Sequence, residues 1–129
     1  MLKFKTKRVD DEFVLLHGEN RALYDLLTAA STFAQYELSK PLTITHIFRT
    51  DEEQAELYSH IPEDKRRKSH HQFWNAVDIR SKDFADWEID QLLRFFNNFS
   101  LNKGQLETAI YHKVPGNAFH FHVKYWGQR

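Results

Sequence analysis

The sequence predicts an α+β fold in which helices pack on a small, mostly antiparallel sheet. Two long segments, residues 20–38 and 84–99, repeat apolar residues at helical spacing. Short segments rich in β-branched or alternating apolar residues lie between and after them. The chain has 129 residues, 11 Phe, 3 Trp and no cysteine. One domain over residues 1–129, with an apolar core and without disulfides, is therefore expected.

The helices are identified by their apolar faces and by the residues that begin them. Asn20 is suited to cap the first long helix. Its inward face comprises Leu23, Leu26, Leu27, Ala30, Phe33 and Ala34. The second long helix directs Ile89, Leu92, Leu93, Phe96 and Phe99 inward. Between these helices, Asp51 is positioned to cap a short helix over residues 52–58.

Four segments of the sequence are interpreted as strands. "LTITHIFR" begins at Leu42 and "NAVDIR" at Asn75, followed near the end of the chain by "ETAIYHK" and "AFHFHVKYW". The last two are joined by "VPGN", residues 114–117, whose Pro-Gly pair predicts a turn. No element is assigned to residues 1–19.

The composition restricts the kinds of partner. Eighteen basic residues balance eighteen acidic ones, so no nucleic-acid partner is expected, and the basic run Lys65–Lys68 is interpreted as a solvated loop. No apolar signal region or run of about 18 apolar residues is present, so neither a signal peptide nor a membrane span is expected. Because there are no thiolates, a metal site would use the carboxylates and the eight histidines.

Asp78 is the most informative residue, because it lies between Val77 and Ile79 in a predicted strand. A desolvated carboxylate must be neutralised, pair with a cation or bind a metal. His120 and His122 are two residues apart, so a strand would direct both imidazoles to one face. With His71, seven residues before Asp78, they offer the imidazoles and carboxylate of a catalytic zinc site, which leaves a fourth position for water.

A metal-free interpretation stays open on these residues alone. Asp78 would then form a salt bridge with Arg49 or Arg80, and His-x-His would be the polar face of a strand. The remaining histidines are interpreted as packing or surface residues: His17, His46, His60 and His112.

The segment "SHHQFWNAVDI" resembles the zinc-binding signature Ser-x-His-x-x-Gly-x-Ala-x-Asp of the D-Ala-D-Ala carboxypeptidase and dipeptidase family (peptidase M15-like). Relatives of that family include phage L-alanyl-D-glutamate endopeptidases. The matching residues are Ser69, His71, Ala76 and Asp78. "HFHV" resembles the closing His-Val strand of the family, and "ITHIFRT" followed by "DEEQAELY" resembles its arginine-ended strand and acidic helix. The resemblance covers roughly residues 40–125.

The resemblance implies a single zinc-peptidase-like domain with a Hedgehog/DD-peptidase-like fold. His71, Asp78 and His122 would hold Zn²⁺, and His70 would replace His71 if the loop shifted. The substrate would be a peptidoglycan stem peptide, cut at a D-Ala-D-Ala or an L-Ala-D-Glu bond. Arg49 would stabilise the oxyanion or bind a substrate carboxylate, and His120 would transfer protons or stabilise the oxyanion. The substrate-binding residues would be Ser69, His70, Trp74 and Glu107.

Two departures from the family pattern favour a second hypothesis, a catalytically silent relative that keeps the metal or a ligand site. Trp74 stands where the family has glycine, and Phe119 stands where many members have an acid. Glu107 is a further candidate for the missing acid. The protein is expected to be cytoplasmic as made, with release to a phage or bacterial cell-wall target depending on another agent.

Overall fold

Five strands form one mixed sheet in the order β1–β2–β3–β5–β4 in a computed structural model of the chain. The structure describes residues 2–62, 64, 71, 74–98, 108–113 and 118–125. The strands are β1 (Leu2–Phe4), β2 (Leu42–His46), β3 (Ala76–Arg80), β4 (Ala109–His112) and β5 (His120–Lys124). The helices are α1 (Lys7–Glu19), α2 (Arg21–Phe33), α3 (Asp51–Leu57) and α4 (Asp86–Asn97).

The pairing of the strands confirms the predicted α+β class and its mostly antiparallel sheet. β1 runs parallel to β2, whereas the β2–β3, β3–β5 and β5–β4 pairs are antiparallel. Because side chains alternate along each strand, one face of the sheet is apolar and the other polar. The apolar face packs against α1, α2 and α4 in one core cluster.

The junction between α1 and α2 is tied to the strands that carry the polar face. Asn20 caps α2 as predicted, because its side-chain oxygen accepts a hydrogen bond from the Leu23 amide at 3.1 Å. Its side-chain amide also donates to the carbonyls of Trp74 and Tyr125, at 3.1 and 2.7 Å. One asparagine therefore links a helix start to the beginning of β3 and the end of β5.

Three local predictions need correction. Thr50, rather than Asp51, caps α3, because its hydroxyl accepts from the Glu53 amide while Glu53 accepts from the Thr50 amide. The helix predicted to reach residue 38 does so, but its last turn, Ala34–Leu38, is π-helical and ends at Ser39 with a φ of 55°. α4 begins at Asp86, two residues later than predicted.

The first 19 residues, to which no element was assigned, contain β1 and α1. α1 buries Val9, Phe13 and Leu16, which lie on one helical face. Phe99, the turn at residues 114–117 and the basic run Lys65–Lys68 lie outside the described residues. Over the part of the chain that the structure covers, no helix has the length and apolar character needed to cross a bilayer.

Candidate metal centre

The polar face of the sheet carries two rows of side chains that cross the central strands. The first row, in register order, is His46, Asp78, His122 and Ile110. The second row is Arg80, His120 and His112. These residues come from four strands, so the centre is assembled by strand pairing and by the alternation of side chains along each strand.

Asp78 lies at the middle of this face, and three imidazole nitrogens converge on its Oδ1 atom. His122 Nδ1 lies 3.0 Å from Asp78 Oδ1, and His71 Nε2 lies 3.3 Å from it. His120 Nε2 lies 3.6 Å from the same oxygen. The predicted site residues His71, Asp78, His120 and His122 are therefore brought together.

His71 lies five residues before β3 in the sequence and is held at the centre by Ile47, the residue that follows β2. The side chain is buried at 2% exposure, and its Nδ1 contacts the Ile47 carbonyl at 2.9 Å. Because a carbonyl only accepts, Nδ1 carries the proton and donates it. The His71 carbonyl in turn accepts from the Arg49 amide at 3.4 Å. Nε2 is thereby directed at Asp78, either as an N–H of an imidazolium or as a bare metal ligand.

The donor set fits a divalent cation. His71, Asp78 and His122 each offer one ligand atom, and these atoms lie within 4.8 Å of one another. Tetrahedral zinc with bonds of about 2.0–2.1 Å separates its ligand atoms by about 3.3 Å. The observed separations from Asp78 Oδ1, 3.3 and 3.0 Å, are close to that value. The group is thus able to hold a metal ion, whose identity the geometry leaves open.

The contacts of Asp78 keep it ionised. Burial raises the pKa of this carboxyl, but the hydrogen bonds of His122 and His71, together with their charges, outweigh burial and hold it well below its usual range. The salt bridge to Arg49 or Arg80 that the metal-free interpretation predicts for Asp78 is not among the contacts of the described residues. The ion-pair partners of Asp78 there are histidines, whereas Arg49 donates from Nη1 to Gln54 Oε1 at 2.7 Å.

His46 lies beside the centre because of a β-bulge. The β2–β3 register pairs Ile44 with Ile79 but His46 with Asp78, so one extra residue turns His46 onto the polar face. Its ring packs edge-on against His71 at 4.5 Å between centroids. Burial, then the charges of His71 and Arg49, lower the pKa of His46 to about 4. The sequence predicted a packed residue but missed this position, since no sequence signal marked the bulge.

His112 is the second neighbour that the sequence analysis missed. Its Nε2 lies 3.1 Å from His120 Nε2, and His120 Nδ1 donates to the Ala118 carbonyl at 3.1 Å. A neutral His120 therefore has its bare nitrogen at Nε2, facing both His112 and Asp78. Burial, then the charges of His120 and His122, lower the pKa of His112. Symmetric counting about Pro115 and Gly116 pairs residue 112 with residue 119, one position from the observed partner His120, so this contact could not be counted from the sequence.

Trp74 has the backbone conformation for which glycine is suited. Its φ is 59°, in the left-handed region that costs most residues about 1–2 kcal/mol. Its ring stacks on Phe48 at 4.6 Å between centroids and an interplanar angle of 21°. Tryptophan thus keeps the conformation that the resemblance assigns to glycine, and packing offsets the strain. Its role in substrate binding stays a prediction.

Phe119 stands where many members of the resembling family have an acid. The ring is 51% exposed and stacks on Tyr111 at 5.1 Å, and Tyr111 in turn contacts Phe121 of the core. No carboxylate therefore comes from this position. The predicted substrate-binding residues Ser69, His70 and Glu107 lie outside the described residues.

Comparisons of the chain with protein-family models, curated proteins and solved structures found no match. The resemblance to the zinc carboxypeptidase family thus rests on the sequence segments themselves. The geometry of the centre is an independent observation, because it depends on strand register and side-chain contacts.

Proposed function

We propose that this protein is a zinc-dependent peptidase that hydrolyses peptidoglycan stem peptides. The bond that it cuts is either the D-Ala-D-Ala bond, as in a carboxypeptidase, or the L-Ala-D-Glu bond, as in an endopeptidase. The observation that carries the proposal is the convergence of His71, Asp78 and His122 within 4.8 Å, with the His120 nitrogen 3.6 Å from Asp78 on the same face. The sequence resemblance supplies the substrate class.

The choice of zinc follows from the donor set of two imidazoles and one carboxylate, which is typical of catalytic zinc sites. When bound by His71, Asp78 and His122, zinc would supply a water of lowered pKa, near 7, and polarise the scissile carbonyl. His71 is prepared for this role, because its Nδ1–H is committed to the Ile47 carbonyl.

His120 is the residue placed to move protons in the reaction. Its Nδ1–H is held by the Ala118 carbonyl, so Nε2 accepts a proton from the attacking water. The water oxygen adds to the peptide carbonyl carbon, and His120 passes the proton to the leaving nitrogen as the C–N bond breaks. One water is consumed, and a carboxylate and an amine are released.

Arg49 is the residue assigned to the charge that grows on the carbonyl oxygen. Its guanidinium is oriented by Gln54 Oε1, and its amide bonds the carbonyl of His71. The bond to His71 ties the backbone of Arg49 to a residue that would hold the metal. A permanently charged donor fixed beside the site suits oxyanion stabilisation.

A catalytically silent relative that keeps the metal is the second candidate. One observation favours it: Phe119 packs on Tyr111, so no acid is supplied from that position. In this case, zinc would bind at the same three residues without turnover of any cell-wall peptide.

Elemental analysis and a hydrolysis assay separate the two candidates. The wild type is expected to contain one zinc per chain and to cleave purified muropeptides. Mass spectrometry of the products measures the cleavage. His120→Ala should retain the zinc and lose turnover, whereas His60→Ala, a change at an exposed histidine, should retain both. Zinc bound without cleavage of any muropeptide would favour the silent relative, and absence of zinc would refute both candidates.

A further inference from the structure

We infer that Arg80 binds a free carboxylate on the residue that supplies the leaving amine. The inference rests on the proposed peptidase function and names the chemical feature of the substrate that this site selects. It gives Arg80 a role distinct from that of Arg49.

The position of Arg80 follows from strand register. Arg80 lies two residues after Asp78, so both side chains are on the polar face, and it pairs directly with His120. His120 Nε2 is itself 3.6 Å from Asp78 Oδ1, so the second row borders the metal centre. Arg80 is therefore the charged residue at the end of the row that contains the proposed proton carrier.

Arg80 has no anionic partner among the described residues. It is half-buried, yet none of the ion pairs or side-chain hydrogen bonds within the described part of the chain includes its guanidinium. A partly desolvated guanidinium favours an acceptor of opposite charge, and its planar fork matches a carboxylate with two parallel hydrogen bonds. Arg80 is the permanent positive charge of this row, because a guanidinium keeps its proton in proteins.

The backbone around Arg80 is fixed. Ser81, which follows it, is buried and donates from Oγ to the Phe119 carbonyl at 2.8 Å. This bond fastens the end of β3 to the residue that precedes β5. The backbone that carries Arg80 and His120 is thus held by paired strands, so a ligand that binds there orders side chains and not the backbone.

The spacing fits a carboxylate close to the scissile bond. Side chains two apart on a strand are separated by about 6.6–6.8 Å, and consecutive Cα atoms of a peptide by about 3.8 Å. If the scissile carbonyl of the substrate lies at the Asp78–His122 row, the residue after the scissile bond has its carboxylate within reach of Arg80. Both bond classes of the proposed function offer this group, as the C-terminus of D-Ala or the α-carboxylate of γ-linked D-Glu.

The test uses matched peptides that differ only in this carboxylate. Diacetyl-L-Lys-D-Ala-D-Ala and an L-Ala-γ-D-Glu peptide are each compared with the corresponding carboxamide. Wild-type protein should cleave the acid with a kcat/KM roughly 10- to 100-fold above that of the amide, mainly through KM. Arg80→Gln should lose this preference, Arg80→Lys should recover part of it, and zinc content and circular dichroism should not change.

Lys124→Gln is the matched control, because Lys124 lies on the same strand face as His122 but on the side away from Arg80. It should keep the preference. Cleavage of acid and amide at equal rates by the wild type would overturn the inference and leave the peptidase standing. If neither the acid nor the amide is cleaved, the affinities of both for the zinc-loaded protein are measured by calorimetry. Tighter binding of the acid that is lost in Arg80→Gln would support the inference without the peptidase, and equal or absent binding would overturn it.

Discussion

The two faces of β3 and β5 differ in what their side chains contact, although the same ten residues form both. On one face Val77, Ile79, Phe121 and Val123 are 0% exposed and belong to the helix-packed core. On the other face Asp78, His120 and His122 are only partly buried, and both imidazoles approach Asp78 Oδ1. The alternation of side chains along two short strands thus places the core residues on one face of the sheet and the residues of the metal centre on the other.

The contrast between the two faces explains how an ionised aspartate is accommodated in an apolar segment of the sequence. The apolar neighbours of Asp78 determine where the strand lies, and the aspartate itself contacts His122 of β5 and His71, seven residues before it. Substitutions on the core face should therefore change the free energy of unfolding, and those on the polar face should change metal binding.

The largest effect on stability is expected for Phe121→Ala. Its side chain is fully buried among the aromatic rings of Phe84, Phe96 and Tyr111, so its loss leaves a cavity. The free energy of unfolding in urea should fall by about 3–5 kcal/mol. Phe119→Ala is the matched control, since this ring is half-exposed, and should cost less than about 1.5 kcal/mol. Equal losses for the two would contradict the separation of faces.

Removal of the metal is the next largest expected effect. A cation that binds only the folded state stabilises it by about 2.7 kcal/mol when its free concentration is a hundredfold above Kd. Chelation should therefore lower the unfolding temperature of the zinc-loaded wild type. His122→Ala should show no response to chelator, because it lacks one of the three ligands. An identical response in the variant would place the metal elsewhere.

A smaller effect concerns the left-handed backbone at Trp74. Alanine is normally more stable than glycine at an ordinary position, but a positive φ reverses the order. Both Trp74→Ala and Trp74→Gly lose the stacking on Phe48. The glycine variant should nevertheless be more stable than the alanine variant by about 1 kcal/mol in urea unfolding. The opposite order would show that this backbone is not strained.

The smallest effect lies away from both faces, at the Arg8–Glu53 ion pair that joins α1 to α3. The hydrogen bond from Arg8, with those from Thr50, lowers the pKa of Glu53 from 4.5 to about 2. A lowered carboxyl pKa stabilises the fold above the unfolded value, so this contribution is complete above about pH 4.5 and is lost as pH falls through about 2.

Because the pair is exposed, its loss should amount to about 0.2–1 kcal/mol. The measurement is the difference in unfolding free energy between wild type and Glu53→Gln, which should shrink as the pH is lowered across that window. The carboxyl of Asp78 also has a lowered pKa, but its contribution is the same in wild type and variant and cancels in this difference. A difference that is independent of pH would indicate that the pair does not stabilise the fold.

Local patterns made most of the sheet and part of the centre predictable. Alternation placed His120 and His122 on one face, and the apolar neighbours of Asp78 placed it in a strand. α1 was missed because Val14 and Leu15 are exposed, which blurs the spacing of its three buried residues. Asp51 was chosen as a cap over Thr50, since both residue types satisfy the capping preference.

The remaining parts of the centre depend on non-local geometry. His46 reaches the polar face through a bulge, and His112 through the register of the last hairpin. The contact of His71 with the Ile47 carbonyl joins residues 24 positions apart. Such contacts are set by how strands pair and where loops return, which composition and periodicity do not encode.

The central claim is that the polar face of β3 and β5 holds one divalent cation at Asp78. Anomalous scattering at the zinc absorption edge, from crystals of the zinc-loaded protein, tests it most directly. One peak bonded by His71 Nε2, Asp78 and His122 Nδ1 is the expected result. A zinc peak at other residues, or no peak while the three side chains are ordered, would contradict it.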